Sequence, residues 1–197
     1  MIDAPPRRSR LMRALLVCGL VAALLVPGVV WWVGHQATVE ASASTGVPHC
    51  EGTEPRTVTD SLTEFERAAI PLRAGFSCTV AIRVVNHSDR VVTLGDVTVP
   101  VSGPQGGGSF QVTHLGGVVV PTDDAVDAAV ELDWSLDPGA EELVEVRVVF
   151  RGGGCTSPDT SIDVDPDIEV RSLLASHDLT VADLPLFVGT ADSSCDV

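Results

Sequence analysis

The chain has 197 residues, enough for one ordinary domain with appendages, and 45% of them are hydrophobic, which excludes a wholly disordered protein. Its 12 basic residues are all arginines and are outnumbered by 27 acidic residues, so the formal net charge is −15. Such a chain lacks the clustered cations with which proteins displace counterions from phosphates, and we therefore expect no nucleic-acid partner.

Residues 1–13 form an arginine-rich tail in front of a long uncharged segment. Its four arginines are Arg7, Arg8, Arg10 and Arg13. Positive residues flanking a membrane-spanning helix keep that side in the cytoplasm. We therefore predict a cytoplasmic N-terminus and a C-terminal domain outside the cell membrane; the chain beyond the apolar segment carries the other 8 arginines and 26 of the acids.

Residues 14–33 contain no charge, which predicts a transmembrane helix. Twenty helical residues rising about 1.5 Å each span about 30 Å, the thickness of the hydrocarbon core of a bilayer. Trp31 and Trp32 end the segment, and indole rings favour the headgroup region. The bilayer is therefore the first partner that we expect.

Two other fates of this segment stay open. Residues 41–43 (ASA) fit the small-residue pattern of signal cleavage, and cleavage after Ala43 would release a secreted protein. The other is lipid attachment at Cys18. Against it, the residue before a lipidated cysteine is usually small, and here it is Val17. In each case the rest of the chain lies outside the cytoplasm.

Residues 34–49 are small and polar, which predicts a flexible linker between the helix and a folded domain of residues 50–197. Within that domain, residues 62–70 indicate a short turn of helix. Most other segments alternate apolar and polar residues between Gly, Pro and Asn turns, which is typical of β-strands. A Pro138-Gly139 turn between two such runs predicts an antiparallel pair with one buried face.

Two segments resemble bacterial extracytoplasmic immunoglobulin-like domains. Residues 78–94 (CTVAIRVVNHSDRVVTL) resemble their strand–turn–strand, and residues 136–150 (LDPGAEELVEVRVVF) resemble their Pro-Gly turn and following strand. The absence of Lys and Tyr is typical of GC-rich bacteria such as actinobacteria. The resemblance, to no specific family, implies a mainly β protein: an immunoglobulin-like antiparallel β-sandwich preceded by one N-terminal transmembrane helix.

Four cysteines lie outside the apolar segment: Cys50, Cys78, Cys155 and Cys195. An even number in an oxidising compartment predicts two disulfides, with three possible pairings. Cys155 follows a glycine-rich loop and Cys195 lies in the C-terminal tail, so we favour that pair and leave Cys50 with Cys78.

The run IDVDPDIEV at residues 162–170 is the most conspicuous chemical pattern. Asp163, Asp165 and Asp167 match the first three ligand positions of a calcium-binding loop, but Ile168 stands where that loop needs glycine. We expect a solvated acidic strand and no bound metal. These three aspartates are the candidates if a Ca²⁺ site exists.

The five histidines are scattered, and no motif of a nucleophile, zinc or phosphate site is present. We therefore expect no enzyme and no cofactor, but a membrane-anchored extracytoplasmic module that binds or scaffolds another envelope protein or a cell-wall polymer. The alternative is a Ca²⁺-dependent envelope sensor or enzyme that uses the acidic strand.

Overall fold

The computed structural model describes residues 7–59, 66–122, 125–181 and 184–194. Helix α1 (Arg7–Val39) comprises 33 residues, longer at both ends than the predicted span. Pro27 lies inside it, as membrane helices tolerate. No proline follows Val33 within the next turns, and the helix continues for six more residues to Val39.

Across the described residues, fourteen strands follow the helix, so the chain is mainly β, as predicted. The strands are β1 (Ala41–Thr45), β2 (His49–Glu51), β3 (Arg56–Thr59), β4 (Glu66–Pro71), β5 (Ser77–Asn86), β6 (Val92–Val99), β7 (Phe110–Leu115), β8 (Val118–Val119), β9 (Ala128–Leu136), β10 (Glu141–Phe150), β11 (Ser161–Ile162), β12 (Asp167–Ser172), β13 (Ala175–Thr180) and β14 (Leu186–Val188).

The strands form three sheets. Sheet 1 contains β1, β5, β10, β7 and β8 in that spatial order, with β2 also paired to β5. Sheet 2 contains β13, β12, β6 and β9, and sheet 3 contains β11, β14, β4 and β3. Among the described strands only β14 and β4 pair in parallel. Antiparallel sheets of this kind fit a β-sandwich.

Sheets 1 and 2 contribute alternate residues to one hydrophobic core. On β5 the predicted inward residues Cys78, Val80, Ile82 and Val84 are all buried, which confirms the predicted face. Sheet 2 contributes residues such as Ile168 to the same core. Each fully buried aliphatic side chain stabilises the fold by about 1.5–3 kcal/mol relative to an exposed one.

The predicted pairing around the Pro138-Gly139 turn is wrong. β9 pairs with β6 in sheet 2, whereas β10 pairs with β5 and β7 in sheet 1. The turn is therefore an arch that crosses from one sheet to the other. The connection from β5 to β6 crosses between the same two sheets. In an arch the inward faces of the two strands pack against each other across the core. Both strands therefore alternate apolar and polar residues, as they would in a hairpin.

Two further segments differ from prediction. The expected flexible linker at residues 34–49 is ordered, because α1 extends to Val39 and all of β1 pairs with β5. The expected helical turn at residues 62–70 is strand β4 from Glu66 onwards, while residues 62–65 lie outside the described chain. In β4, Ala69 and Ile70 are buried between strands, and this packing outweighs local helix propensity.

The domain has two ends, which set the positions of all candidate sites. At the helix end, β5 finishes at Asn86 and β12 finishes at Ser172, and the His87 amide donates to the Glu40 carbonyl. At the far end, β5 begins at Ser77. The ten residues of β5 separate the two ends by about 30 Å, at about 3.3 Å per residue.

Candidate functional site

The apolar surface of α1 is the first candidate site. Residues Leu16–Val39 form a helix long and apolar enough to cross a membrane, and residues 16–29 are exposed throughout. Arg7, Arg8, Arg10 and Arg13 lie in its first two turns. An N-terminal apolar helix of this kind serves either as a membrane anchor or as a signal sequence.

Trp31 and Trp32 lie near the other end of α1, just before it enters the domain, and both are about half exposed. The Trp31 ring stacks on His35 with 5.3 Å between ring centroids, and His35 meets His177 of β13 edge to face at 6.5 Å. The predicted interfacial tryptophans therefore lie at the junction between the helix and the domain.

The last two turns of α1 pack against sheet 2 and β1. Ala37 and Thr38 are buried there, and a Cβ placed on Gly34 would lie 2.3 Å from the carbonyl oxygen of Ser172. Only a residue without a side chain permits this approach. Sequence reasoning missed the junction, because a glycine after an apolar helix also ends many helices.

We expect Gly34→Val to detach the last turns of α1 from the domain. The added side chain would collide with backbone of β12, so the helix would move away and loosen the backbone at Glu40, whose amide and carbonyl are hydrogen-bonded to Gln36 and His87, for cleavage by a glutamyl protease. Cleavage in detergent should become at least about tenfold faster, because overpacking of this kind costs more than about 1.4 kcal/mol. Gly28→Val is the matched control, since Gly28 has open space around it; equal cleavage rates would contradict a fixed junction.

The acidic segment differs from the single strand that was predicted. Residues 161–162 belong to β11 of sheet 3 and residues 167–172 to β12 of sheet 2, with Val164 buried between them. Asp163, Asp165 and Asp167 therefore do not share one strand face. Within the described chain, no group of three or more His, Cys, Asp or Glu side chains is close enough to hold a metal ion.

Asp163 has a cationic partner that the sequence pattern did not reveal. The Arg67 guanidinium donates to its two carboxylate oxygens at 2.7 and 2.9 Å, and also to the Leu184 carbonyl at 2.7 Å. Arg67 is nearly buried on β4, so this bidentate pair joins sheet 3 to the acidic segment. The chemistry is that of a structural ion pair.

Asp165 is compensated by Arg67 only in part. Partial burial raises the pKa of Asp165, and the neighbouring carboxylates of Asp163 and Asp167 raise it further, while Arg67 acts in the opposite direction. An acid whose pKa is higher in the folded state opposes folding once the pH rises through that pKa. The penalty is complete at neutral pH and absent below the ordinary value of 3.8.

We therefore expect Asp165→Asn to raise the melting temperature at about pH 7 and to leave it unchanged at about pH 3, where the carboxyl is protonated in both states. A thermal scan across this range measures the difference. Asp178→Asn, at an exposed aspartate on β13, is the control for the loss of one surface carboxylate. A gain at low pH as large as that at neutral pH would contradict the assignment.

A second charged cluster lies on the outer face of sheet 2. Arg171 donates to Glu169 at 2.5 Å and lies 3.7 Å from carboxylate oxygens of both Asp96 and Glu131. The hydrogen bond from Arg171 lowers the pKa of Glu169. Gly95 leaves room for this pair, because a Cβ there would lie 2.7 Å from the guanidinium carbon. Three carboxylates share this one guanidinium and the cluster is partly exposed to solvent, so it contributes little to stability.

The described cysteines of the domain, Cys50, Cys78 and Cys155, lie at its far end. Cys50 and Cys78 lie opposite each other on β2 and β5 and form a disulfide, which confirms that pairing. Cys155 is also disulfide-bonded, but Cys195 lies outside the described residues, so their pairing stays a prediction. Cys18 is an exposed free thiol on α1.

Two cavities open at the far end. One of about 210 Å³ is lined by Val101, Phe110, Ile162 and Asp165, with a largely apolar interior. The other, of about 640 Å³, is a wide polar cleft beside Cys50 that includes Arg56 and Arg73. No pattern in the sequence pointed to either, because their walls come from segments far apart in the chain.

Comparison with known proteins yields no family. No protein-family model matches the chain, and no curated protein matches it significantly. Among solved structures, a secreted serine protease, VesC, from Vibrio cholerae is similar over 70% of this chain at 14% identity and a TM-score of 0.33. A GH20 exo-β-N-acetylglucosaminidase from Vibrio harveyi is similar over 76% at 11% identity and a TM-score of 0.32. The chain spans 23% and 18% of these two proteins.

Proposed function

We propose that this chain is a single-pass membrane protein with an extracytoplasmic, immunoglobulin-like β-sandwich that binds or scaffolds a partner without catalysis. The observation that carries the proposal is the continuity of α1. Its residues 16–29 are apolar and exposed, which is costly in water, while one side of its last turns is packed against the domain. A bilayer around the first part would remove that cost and hold the domain at the membrane surface.

The charge distribution supports the orientation that we propose. The arginines of the first turns belong on the cytoplasmic side, which puts the acidic domain and its disulfides in the oxidising space outside. Cleavage after Ala43 would cut inside β1, where Ala43 pairs with Val84, and would remove the buried turns of α1. This argues for an uncleaved anchor over a secreted product.

The immunoglobulin-like assignment is supported by the two arches that carry the chain between facing antiparallel sheets, a feature of such sandwiches. The far end of the domain suits a partner best, since α1 occupies the helix end and both cavities open at the far end. The neighbouring envelope protein or wall polymer that we propose as partner would therefore approach from outside the membrane.

The anchor is tested by fractionating cells that express the full chain. We expect the protein in membranes after an alkaline carbonate wash, with its N-terminal segment intact by mass spectrometry. A Leu20→Arg/Leu24→Arg variant is the control and should leave the membrane fraction, because each charge at the centre of a helix costs about 2.5–3.5 kcal/mol. Wild-type protein found in the medium and beginning at Ser44 would overturn the anchor.

The binding role needs a separate test. Full-length protein purified from native membranes under mild detergent should bring with it a stoichiometric envelope protein or wall fragment. A variant in which Arg56 and Arg73 of the polar cleft are replaced by Glu should reduce recovery of a partner that binds there, without changing membrane insertion. Recovery of the wild-type protein alone would contradict a scaffolding role.

A further inference from the structure

The turn between β12 and β13 consists of two leucines that packing inside the domain does not explain. Ser172 pairs with Ala175, so Leu173 and Leu174 form the whole loop, and their exposed fractions are 61% and 65%. Leu173 has a φ of 52°, in the left-handed region. Two-residue turns usually place Asn or Gly there, because other side chains are strained. Two exposed leucines at such a turn indicate an apolar environment.

The position of the turn indicates which environment. A Cβ placed on Gly34 would lie 3.2 Å from the Cβ of Leu173, so the turn touches α1. Gly34 is only two residues beyond Trp32, about 3 Å along the helix axis. The leucines therefore lie at nearly the same level as the tryptophans that mark where the helix would leave the bilayer.

The composition around the turn fits a lipid surface. Residues 172–176 (SLLAS) carry no charge, although the domain as a whole is strongly acidic. The nearest charged side chain before the turn, Arg171, is held among carboxylates on the outer face of sheet 2. The loop itself contains no carboxylate, so its insertion into a headgroup layer would desolvate no charge.

We infer that the Leu173-Leu174 turn inserts into the interfacial layer of the outer leaflet beside α1. This inference rests on the proposed function, because it requires α1 to span the membrane. The domain would then have two attachments, the helix and the turn, and could not rotate freely about the helix axis. The lipid-facing side of the domain would be the end formed by β12 and β13.

The test uses the full chain in phosphatidylcholine nanodiscs, with and without lipids that carry a nitroxide near the carbonyl. In a Cys18→Ser background, Leu174→Cys provides one site for an environment-sensitive dye, attached without reductant so that the disulfides stay closed. Val101→Cys is the matched control: Val101 is similarly exposed, at 58% against 65% for Leu174, but lies beyond β6 at the far end. We expect the dye at position 174 to be quenched several-fold more than the dye at position 101.

Native Cys18 separates the failure of this inference from that of the anchor. A dye on Cys18 of the wild-type chain should be quenched by a nitroxide near the bilayer centre. If Cys18 is quenched and the dyes at positions 174 and 101 both remain unquenched, the turn does not insert while the anchor stands. If the dye at position 101 is quenched equally, the domain lies on the membrane without a preferred end, which also overturns the inference. An unquenched Cys18 would overturn the anchor itself.

Discussion

Asn86→Ala should lower the free energy of unfolding by about 4 kcal/mol, the largest loss that we expect from a single substitution. The Asn86 side chain is fully buried where the two arches meet. Its amide donates to the carbonyls of Arg90 at 2.7 Å and of Leu136 and Asp137 at 3.1 Å each. Its carbonyl oxygen accepts from the amide and hydroxyl of Ser88 at 3.1 and 2.7 Å.

The size of this effect comes from what the substitution leaves behind. Alanine would leave carbonyls of both arches without this donor, and each buried polar group without a partner costs about 1–3 kcal/mol. Urea denaturation in mild detergent, followed by tryptophan fluorescence, measures the loss. Asn86→Asp should be at least as damaging, since a carboxylate cannot donate, whereas Ser88→Ala should cost only about 1 kcal/mol. A value for Asn86→Ala within about 1 kcal/mol of wild type would contradict this role.

The same contacts decide how residues 86–88 (NHS) behave as a glycosylation sequon. A glycan would have to be attached to an amide nitrogen that is buried and already donates to carbonyls of both arches. In the folded domain, Asn86 and Ser88 of this sequon therefore hold the turns together through hydrogen bonds to the backbone. Carrying a sugar would require the helix end of the domain to open.

Replacing both Cys50 and Cys78 by alanine should lower the free energy of unfolding by about 3.5 kcal/mol. The disulfide closes a loop with a sequence separation of 28, and the main effect of opening it is a larger conformational entropy of the unfolded chain. The expected signature is a lower denaturation midpoint with an increased dependence on denaturant, because the unfolded state becomes less compact.

The control for this prediction is Cys18→Ser, which removes a thiol that lies exposed on α1 and far from the domain. It should leave the unfolding of the domain unchanged. A reducing agent is a weaker test, because it also opens the disulfide of Cys155. If the double alanine variant unfolds with the wild-type midpoint, the β2–β5 register alone holds the start of the domain in place.

Strand positions could be predicted from the sequence more reliably than strand partners. Alternation on β5, β9 and β10 defines which side chains point inward, and the structure confirms those faces. It carries no information on whether the next strand lies beside the first or across the core from it. The difference between a hairpin and an arch at Pro138-Gly139 depends on the long-range register with β6 and β7, which local pattern does not contain.

The candidate sites show the same division. Charge, length and apolar composition are local properties, so the helix could be predicted, together with Trp31 and Trp32 at the end of the apolar segment. The partner of Asp163 could not, because Arg67 lies 96 positions away and becomes its neighbour only through sheet 3. The ordered segment at residues 34–49 was missed because small polar residues also suit a helix end and an edge strand, once β5 supplies hydrogen bonds.

If α1 spans the bilayer as we propose, its close packing against the domain would convert a tilt of the helix into a displacement of the far end. Membrane helices tilt by about 20° on average, and a tilt of that size would move a point about 30 Å above the junction by about 10 Å. A flexible tether of sixteen residues would instead let the domain wander over about 22 Å in any direction. With α1 spanning the bilayer as we propose, the domain would present its far end at a nearly constant height above the membrane surface, which would concentrate it for partners held at that height.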